Sequence, residues 1–279
     1  MLVSTSLQEI HGRLVAGIEC LASSDEWRAM LEVSARFHRY SFNNQLLIYL
    51  QCPEATRVAG YRAWQRLGRQ VRKGEHGLQI LAPRRKRVSV EVEDEQGDVE
   101  RVEVLTGFRV VHVFDVSQTD GDELADVRPR RLAGEVDEQL IDALARRVAD
   151  EGFTLRREAM ACSARNGYAD FARRLVVLRE GLSGAQSAKT LIHELAHVLL
   201  HRETDLSQRE VAEVEAESVA FVVSSVLGLN TSDYSFPYVA RWSGGDAELV
   251  AATAERVIAA ARDLLASVGA EDEASSTRE

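Results

Sequence analysis

Apolar residues recur at three- and four-residue steps near the start of the chain: Leu14, Ile18 and Leu21, then Met30, Val33 and Phe37. That spacing predicts helices. Ser41 to Leu50 (SFNNQLLIYL) reads as a further short amphipathic helix with a polar entry, ending at Cys52-Pro53. Gly60, Gly68, Gly74, Gly77 and Pro83 then punctuate short elements. Val88, Val90 and Val92 alternate with polar residues, and Val99, Val102 and Val104 follow a Glu-Gln-Gly-Asp turn, the pattern of a β-hairpin. A third strand is expected from Phe108 to Val116.

The stretch from Thr119 to Glu138 is polar and acidic and holds Pro129 and Gly134, so a linker is expected within it, at residues 123–137. Helical spacing resumes from Val136 to Glu151. Strand-like pieces at Phe153–Arg157 and Leu175–Leu178 flank a turn at Asn166-Gly167. Strong helices follow at Ser187–His201, Val211–Leu227 and Asp246–Val268. The fold class read from this order is α+β: an N-terminal α/β domain over residues 1–122, the linker, a second domain over 138–270, and a disordered tail at 271–279.

One of those helices carries candidate chemistry. In KTLIHELAHVLL, His193 and His197 are four residues apart, so they differ by about 40° around the helix axis and sit about 6 Å apart along it. Both can reach one ion. Glu194 flanks that position and is placed to take a proton from a water and pass it to a leaving amine. The remaining residues of the stretch are apolar, so the helix is buried, and two histidines and a glutamate are costly in a core unless something pairs with them. A catalytic zinc uses three protein ligands and keeps one open position. The next helix offers Glu210, Glu213, Glu215 and Glu217, of which Glu213 and Glu217 share a face. Glu213 is read as the third ligand and Glu217 as a carboxylate that orients a ligand histidine, with Glu217 as ligand the other assignment. At least two of the four glutamates are expected to be solvated. His201 is read as a cation near the helix's negative end. Tyr234 and Tyr238 could each donate to a developing oxyanion or serve only in packing.

Charge changes the picture of the N-terminal half. The chain of 279 residues has a net charge of −10, yet Arg57 to Arg87 holds ten basic residues and one acid. That segment is therefore +9 and the rest −19. A basic patch on an acidic protein is the footprint of a polyanion site. Tyr61 and Trp64 lie among Arg57, Arg62, Arg66, Arg69, Arg72 and Lys73, which matches the basic groove with stacking platforms used by single-strand binders. The opposing reading makes Trp64 a core residue and the arginines a solvated face. Asn44 could contact nucleic acid or cap a helix. The three cysteines, Cys20, Cys52 and Cys162, are odd in number and form no CxxC pair, which fits a reducing cytoplasm. No targeting segment is read at the start, and no apolar run reaches the ~18 residues of a membrane span.

At this point the chain resembles known families. Asn166-Gly167-Tyr168, KTLIHELAHVLLH, AEVEAESVAFVVSSVLGL and the stretch from Tyr234 to Trp242 are similar to zincin metallopeptidases of the ImmA/IrrE and ArdC types. In such families a glutamate four residues before another acidic or amide residue supplies the third ligand, and Glu213 occupies that position. YSFNNQLLI, the segment ATRVAGYRAWQRLGRQVRKGEHGLQILAP and FDVSQTDG resemble the single-stranded-DNA-binding domain of ArdC-like antirestriction proteins. The resemblance covers roughly residues 30–120 and 160–242 and leaves the hairpin at 84–103 without family residues. It implies a cytoplasmic, Zn2+-dependent metalloendopeptidase joined to a single-stranded-DNA-binding module and acting on a protein at DNA. That protein would be a restriction subunit, a repressor or a crosslinked protein. Two other classes stay open: a DNA-binding antirestriction shield whose metal site is structural or inactive, and a peptidase without a nucleic-acid role.

Overall fold

The computed structural model describes residues 7–21, 23–91, 99–124, 138–160, 165–202, 209–232, 234, 236 and 243–269, with the side chains of 87–102 left aside. Packing divides the chain into two units, one of Met1–Val15 with Leu46–Asp122, the other of Ala16–Gln45 with Glu123–Glu279. The helix after Ser23 belongs to the second unit because it packs its buried face on helices there. Trp27 of that helix is 1% exposed, and its indole N–H donates to Ser218 at 3.0 Å. Periodicity announces such a face without naming its partner.

In the first unit, helix α1 (Leu7–Cys20) begins and helix α3 (Phe42–Gln51) ends. Strand β1 (Val58–Ala59), helix α4 (Tyr61–Arg66) and strand β2 (Arg69–Val71) follow. Strands β3 (Leu78–Glu91) and β4 (Val99–Asp115) pair antiparallel along their length, with β1 on the other edge of β4. A single strand runs where two were expected at Val99–Val104 and Phe108–Val116. The pairing shifts register there: Thr106 is the extra residue between Leu105, opposite Arg85, and Gly107, opposite Arg84 and at φ 138°, and the ladder continues on both sides of this bulge. Strand β5 (Thr119–Gly121) pairs with β2, which gives the start of the polar stretch after Val116 a place in a sheet. Leu46, Leu47, Ile48, Trp64, Ile80 and Val113 form the core. Asp115 closes the corner after β4: its carboxylate accepts the backbone N–H groups of Thr56, Arg57 and Ser117 at 2.8, 3.0 and 3.0 Å. Burial alone would raise its pKa, but these bonds outweigh it and hold it below the usual value.

The second unit holds helix α2 (Ser24–Arg36), helix α5 (Glu138–Asp150), and strands β6 (Thr154–Glu158), β7 (Gly167–Asp170) and β8 (Leu175–Arg179). It continues with helices α6 (Gly184–Leu200), α7 (Arg209–Val226) and α8 (Ala247–Ser267). Strand β8 lies between β6, which is parallel to it, and β7, which is antiparallel. Its Val176, Val177 and Leu178 are fully buried. Helix α6 begins at Ser183, whose hydroxyl accepts the N–H of Gln186. Gly167 lets β7 lie close against α6: a Cβ there would meet Thr190 Cγ2 at 2.7 Å and the Val177 carbonyl at 2.9 Å. The strand thus runs beside the helix that bears the histidines. Among the described residues no helix is long and apolar enough to cross a membrane. The expectations for Tyr238, Cys162, most of the linker and the tail at 271–279 lie outside the described residues.

Candidate metal centre

Helix α6 buries Leu191, Ile192, Leu195, Ala196 and Val198, which turns His193 and His197 toward α7. Their Nε2 atoms are 3.2 Å apart. A carboxylate oxygen of Glu213, from the first half of α7, lies 3.7 Å from His193 Nε2 and 3.6 Å from His197 Nε2. A triangle of that size holds a point about 2.0 Å from each corner, the distance at which zinc accepts imidazole nitrogen or carboxylate oxygen. His193, His197 and Glu213 also form the group of potential ligands found among the described residues. The donor set therefore fits a divalent ion.

The surroundings place further groups on these three. Glu217 Oε2 is 3.2 Å from His193 Nδ1, so its carboxylate accepts from the ring nitrogen that faces away from His197. His201 departs from its expected role. It is 8% exposed, its Nδ1 lies 3.0 Å from His197 Nδ1, and its Nε2 lies 2.8 Å from Glu215 Oε2. Its side chain is buried between two polar partners instead of lying at a solvated helix end. Glu215 is likewise buried, at 3%, and its other oxygen accepts from Arg256 Nε at 2.7 Å. Glu215, one of the four candidate glutamates of α7, is thus neither a member of the three-ligand cluster nor solvated, and Arg256 carried no expectation, since only the fold brings α8 to this point.

Electrostatics follow from packing. Burial acts to lower the pKa of His193, but Glu213 and Glu217 outweigh it and push it up to about 10. Glu213 is held well below the usual carboxylate range by His193 and His197. Burial raises Glu194, against the pull of His193, His197 and Arg165. In the metal-free protein His193 thus carries a proton at neutral pH, and an ion that needs neutral imidazole must displace it. Isothermal titration in buffers of differing ionisation heat is expected to show at least about one proton released per ion bound at pH 7. The sign also sets a stability window. His193 is raised above its ordinary 6.5, so its contribution to the metal-free fold is full below that pH and is lost as pH rises toward about 10.

The site opens on a cleft of about 1110 Å³ lined by Arg165, Asn166, Gly167, Lys189 and Tyr234 besides the groups above. Arg165 donates to the Gly167 carbonyl at 3.1 Å and stacks over Tyr168; no spacing or motif marks it in the chain. Tyr234 lines the cleft, but its hydroxyl meets Ser224 Oγ at 3.1 Å and the Ala220 carbonyl at 3.4 Å, the packing role.

Residues 5–114 match the N-terminal domain of anti-restriction factor ArdC, and residues 149–235 match the IrrE N-terminal-like domain. The chain joins an ArdC-type N-terminal domain to an IrrE-like peptidase-family domain. Two crystal structures of the antirestriction ArdC protein from the R388 plasmid share this fold. The metal-free form is 25% identical, with TM-score 0.52, over 81% of this chain and 84% of that one. The Mn(II)-bound form is 23% identical, with TM-score 0.55, over 96% and 100%. The chain is also 27% identical to the uncharacterized protein pXO2-81 of Bacillus anthracis, over 86% of this chain and 47% of that protein. It therefore spans about half the length of that relative.

Within the ArdC-type part the basic residues separate into two groups. Arg62, Arg66 and Lys73 are exposed, Arg57 is half-buried, and Tyr61 is 44% exposed. Arg69 and Arg72 are tied into the corner: Arg69 donates to Thr119 Oγ1 at 2.7 Å, and Arg72 to Glu75 at 2.8 Å and the Ser117 carbonyl at 2.6 Å. Trp64 corrects the stacking expectation. It is 0% exposed, and its indole N–H donates to the Phe114 carbonyl at 2.9 Å, so no base can reach its face. Asn44 is half-buried on α3, in the stretch that packs with the second unit.

Proposed function

We propose that this chain is a zincin-type metalloendopeptidase, using Zn2+ held by His193, His197 and Glu213, coupled to a module that binds single-stranded DNA. The observation that carries the peptidase reading is the triangle of ligand atoms with Glu194 flanking it on the same helix. When bound, zinc supplies Lewis acidity to the scissile carbonyl and to an attacking water. Glu194 accepts a proton from that water and returns it to the leaving amine. Its burial leaves it more basic than an exposed carboxylate, which suits both transfers. Glu217 holds His193 in one tautomer. Strand β7 is an edge of its sheet and borders the cleft, so an extended peptide can pair with it and lie across the site. The cleft, of about 1110 Å³, has room for such a segment.

The single-strand reading rests on Tyr61 beside Arg62 and Arg66 on the exposed side of α4. The antirestriction role of the R388 relative makes a protein at incoming DNA the natural target. The test is hydrolysis of an unfolded protein such as casein by the zinc-loaded chain. A chelator should stop it and about one equivalent of zinc should restore it; hydrolysis indifferent to chelation rejects the reading. For the DNA arm, fluorescence titration with a single-stranded oligonucleotide should give binding that weakens steeply with salt. Arg62→Glu with Arg66→Glu should reduce that salt slope by about one to two phosphate contacts.

A further inference from the structure

The chain of side chains running from His197 through the buried His201 and Glu215 to Arg256 has a definite hydrogen pattern. His197 Nε2 faces His193 and Glu213. A neutral imidazole that offers Nε2 as a ligand carries its hydrogen on Nδ1. That nitrogen lies 3.0 Å from His201 Nδ1, and a bond between two nitrogens needs one hydrogen, so His201 Nδ1 must accept. His201 then bears its own hydrogen on Nε2, which meets Glu215 Oε2 at 2.8 Å, and a carboxylate oxygen accepts it. Arg256 Nε donates to the other oxygen of Glu215 at 2.7 Å, and its Nη2 contacts the same oxygen. All four side chains belong to one unit. Each link has one donor and one acceptor, and reversing any of them puts two hydrogens or none in the same gap.

We propose that His201, Glu215 and Arg256 are positioning residues that hold His197 in the tautomer and orientation a metal requires. The proposal rests on the metal reading given above. The two ligand histidines are supported differently. Glu217 reaches His193 directly at 3.2 Å, whereas Glu215 reaches His197 only through a second imidazole. The reason is geometric: His201 is one helical turn beyond His197 and ends α6, so its ring fills the space between that ligand and Glu215. His201 and Glu215 are buried while Arg256 is 46% exposed, so a half-made relay is costly at Glu215, which would sit in the interior with one partner missing.

Co2+ serves as the probe, because its visible absorption reports ligand geometry. His201→Leu removes the acceptor, His201→Asn puts an amide oxygen near the place of Nδ1, and Glu215→Gln keeps the volume while removing the charge. Affinity is read by chelator competition and folding by the thermal melt of the metal-free protein. His201→Leu is expected to weaken Co2+ by about 10–100-fold and to change the absorption bands. His201→Asn should recover most of both, and Glu215→Gln should fall between. If His201→Leu does not fold, the other two variants decide. Variants that fold, bind Co2+ as tightly as the natural chain and show its spectrum overturn the relay alone. A natural chain that takes up no Co2+ overturns the metal reading and the relay together.

Discussion

Glu194→Gln is expected to lower peptide hydrolysis by about 10²–10⁴-fold while the protein keeps its zinc. The carboxylate is 7% exposed, follows a candidate ligand directly in the chain, and lies outside the three-ligand cluster. Glutamine has the same length and branching, so packing of α6 is preserved. What it loses is the ability to take a proton and give it back. Burial raises the Glu194 pKa, so the acid limb of the rate profile should lie above the range of ordinary carboxyls and vanish in the variant. The check is kcat/KM on a protein substrate together with metal content on the same sample. Undiminished hydrolysis in a variant with full metal would remove Glu194 from the chemistry.

Glu213→Ala and Glu217→Ala are expected to differ sharply. Glu213 approaches both histidine Nε2 atoms, and its removal takes one of three ligands, so zinc uptake at micromolar concentrations should fall from about one equivalent to near none. Glu217 approaches only His193 Nδ1, and its removal should cost about 10–100-fold in affinity with the site still able to fill. Chelator competition on the two variants measures the difference. Equal losses, or the larger loss at Glu217, would exchange the two roles. Removing Glu213 also takes away the strongest support for the His193 proton, so the metal-free variant should hold that proton less tightly.

Much of the candidate site was legible because it is local. His193, Glu194 and His197 sit within five residues on a strongly apolar helix, and Glu213 and Glu217 share one face of the next. What escaped depends on the fold. Glu215 and Arg256 are 41 residues apart in the chain, and their meeting follows from how α7 and α8 pack. His201 looked like a helix-end cation because sequence spacing does not reveal that both its ring nitrogens find buried partners. Trp64 illustrates the converse: a tryptophan among arginines looks like a stacking platform until the indole is seen to donate to Phe114 from inside the core. Strands β3 and β4 alternate clearly, yet a bulge at Gly107 prolongs one strand where a break was expected. Residues 16–45 read correctly as helical, but the partner of an amphipathic face is not written in its own period.

The most direct measurement is anomalous scattering from a crystal of the zinc-loaded chain, with data collected on either side of the zinc absorption edge. One peak is expected between α6 and α7, about 2.0–2.2 Å from His193 Nε2, His197 Nε2 and a Glu213 oxygen. A crystal of zinc-loaded protein with no peak there, or with its peak on other residues, would contradict the account.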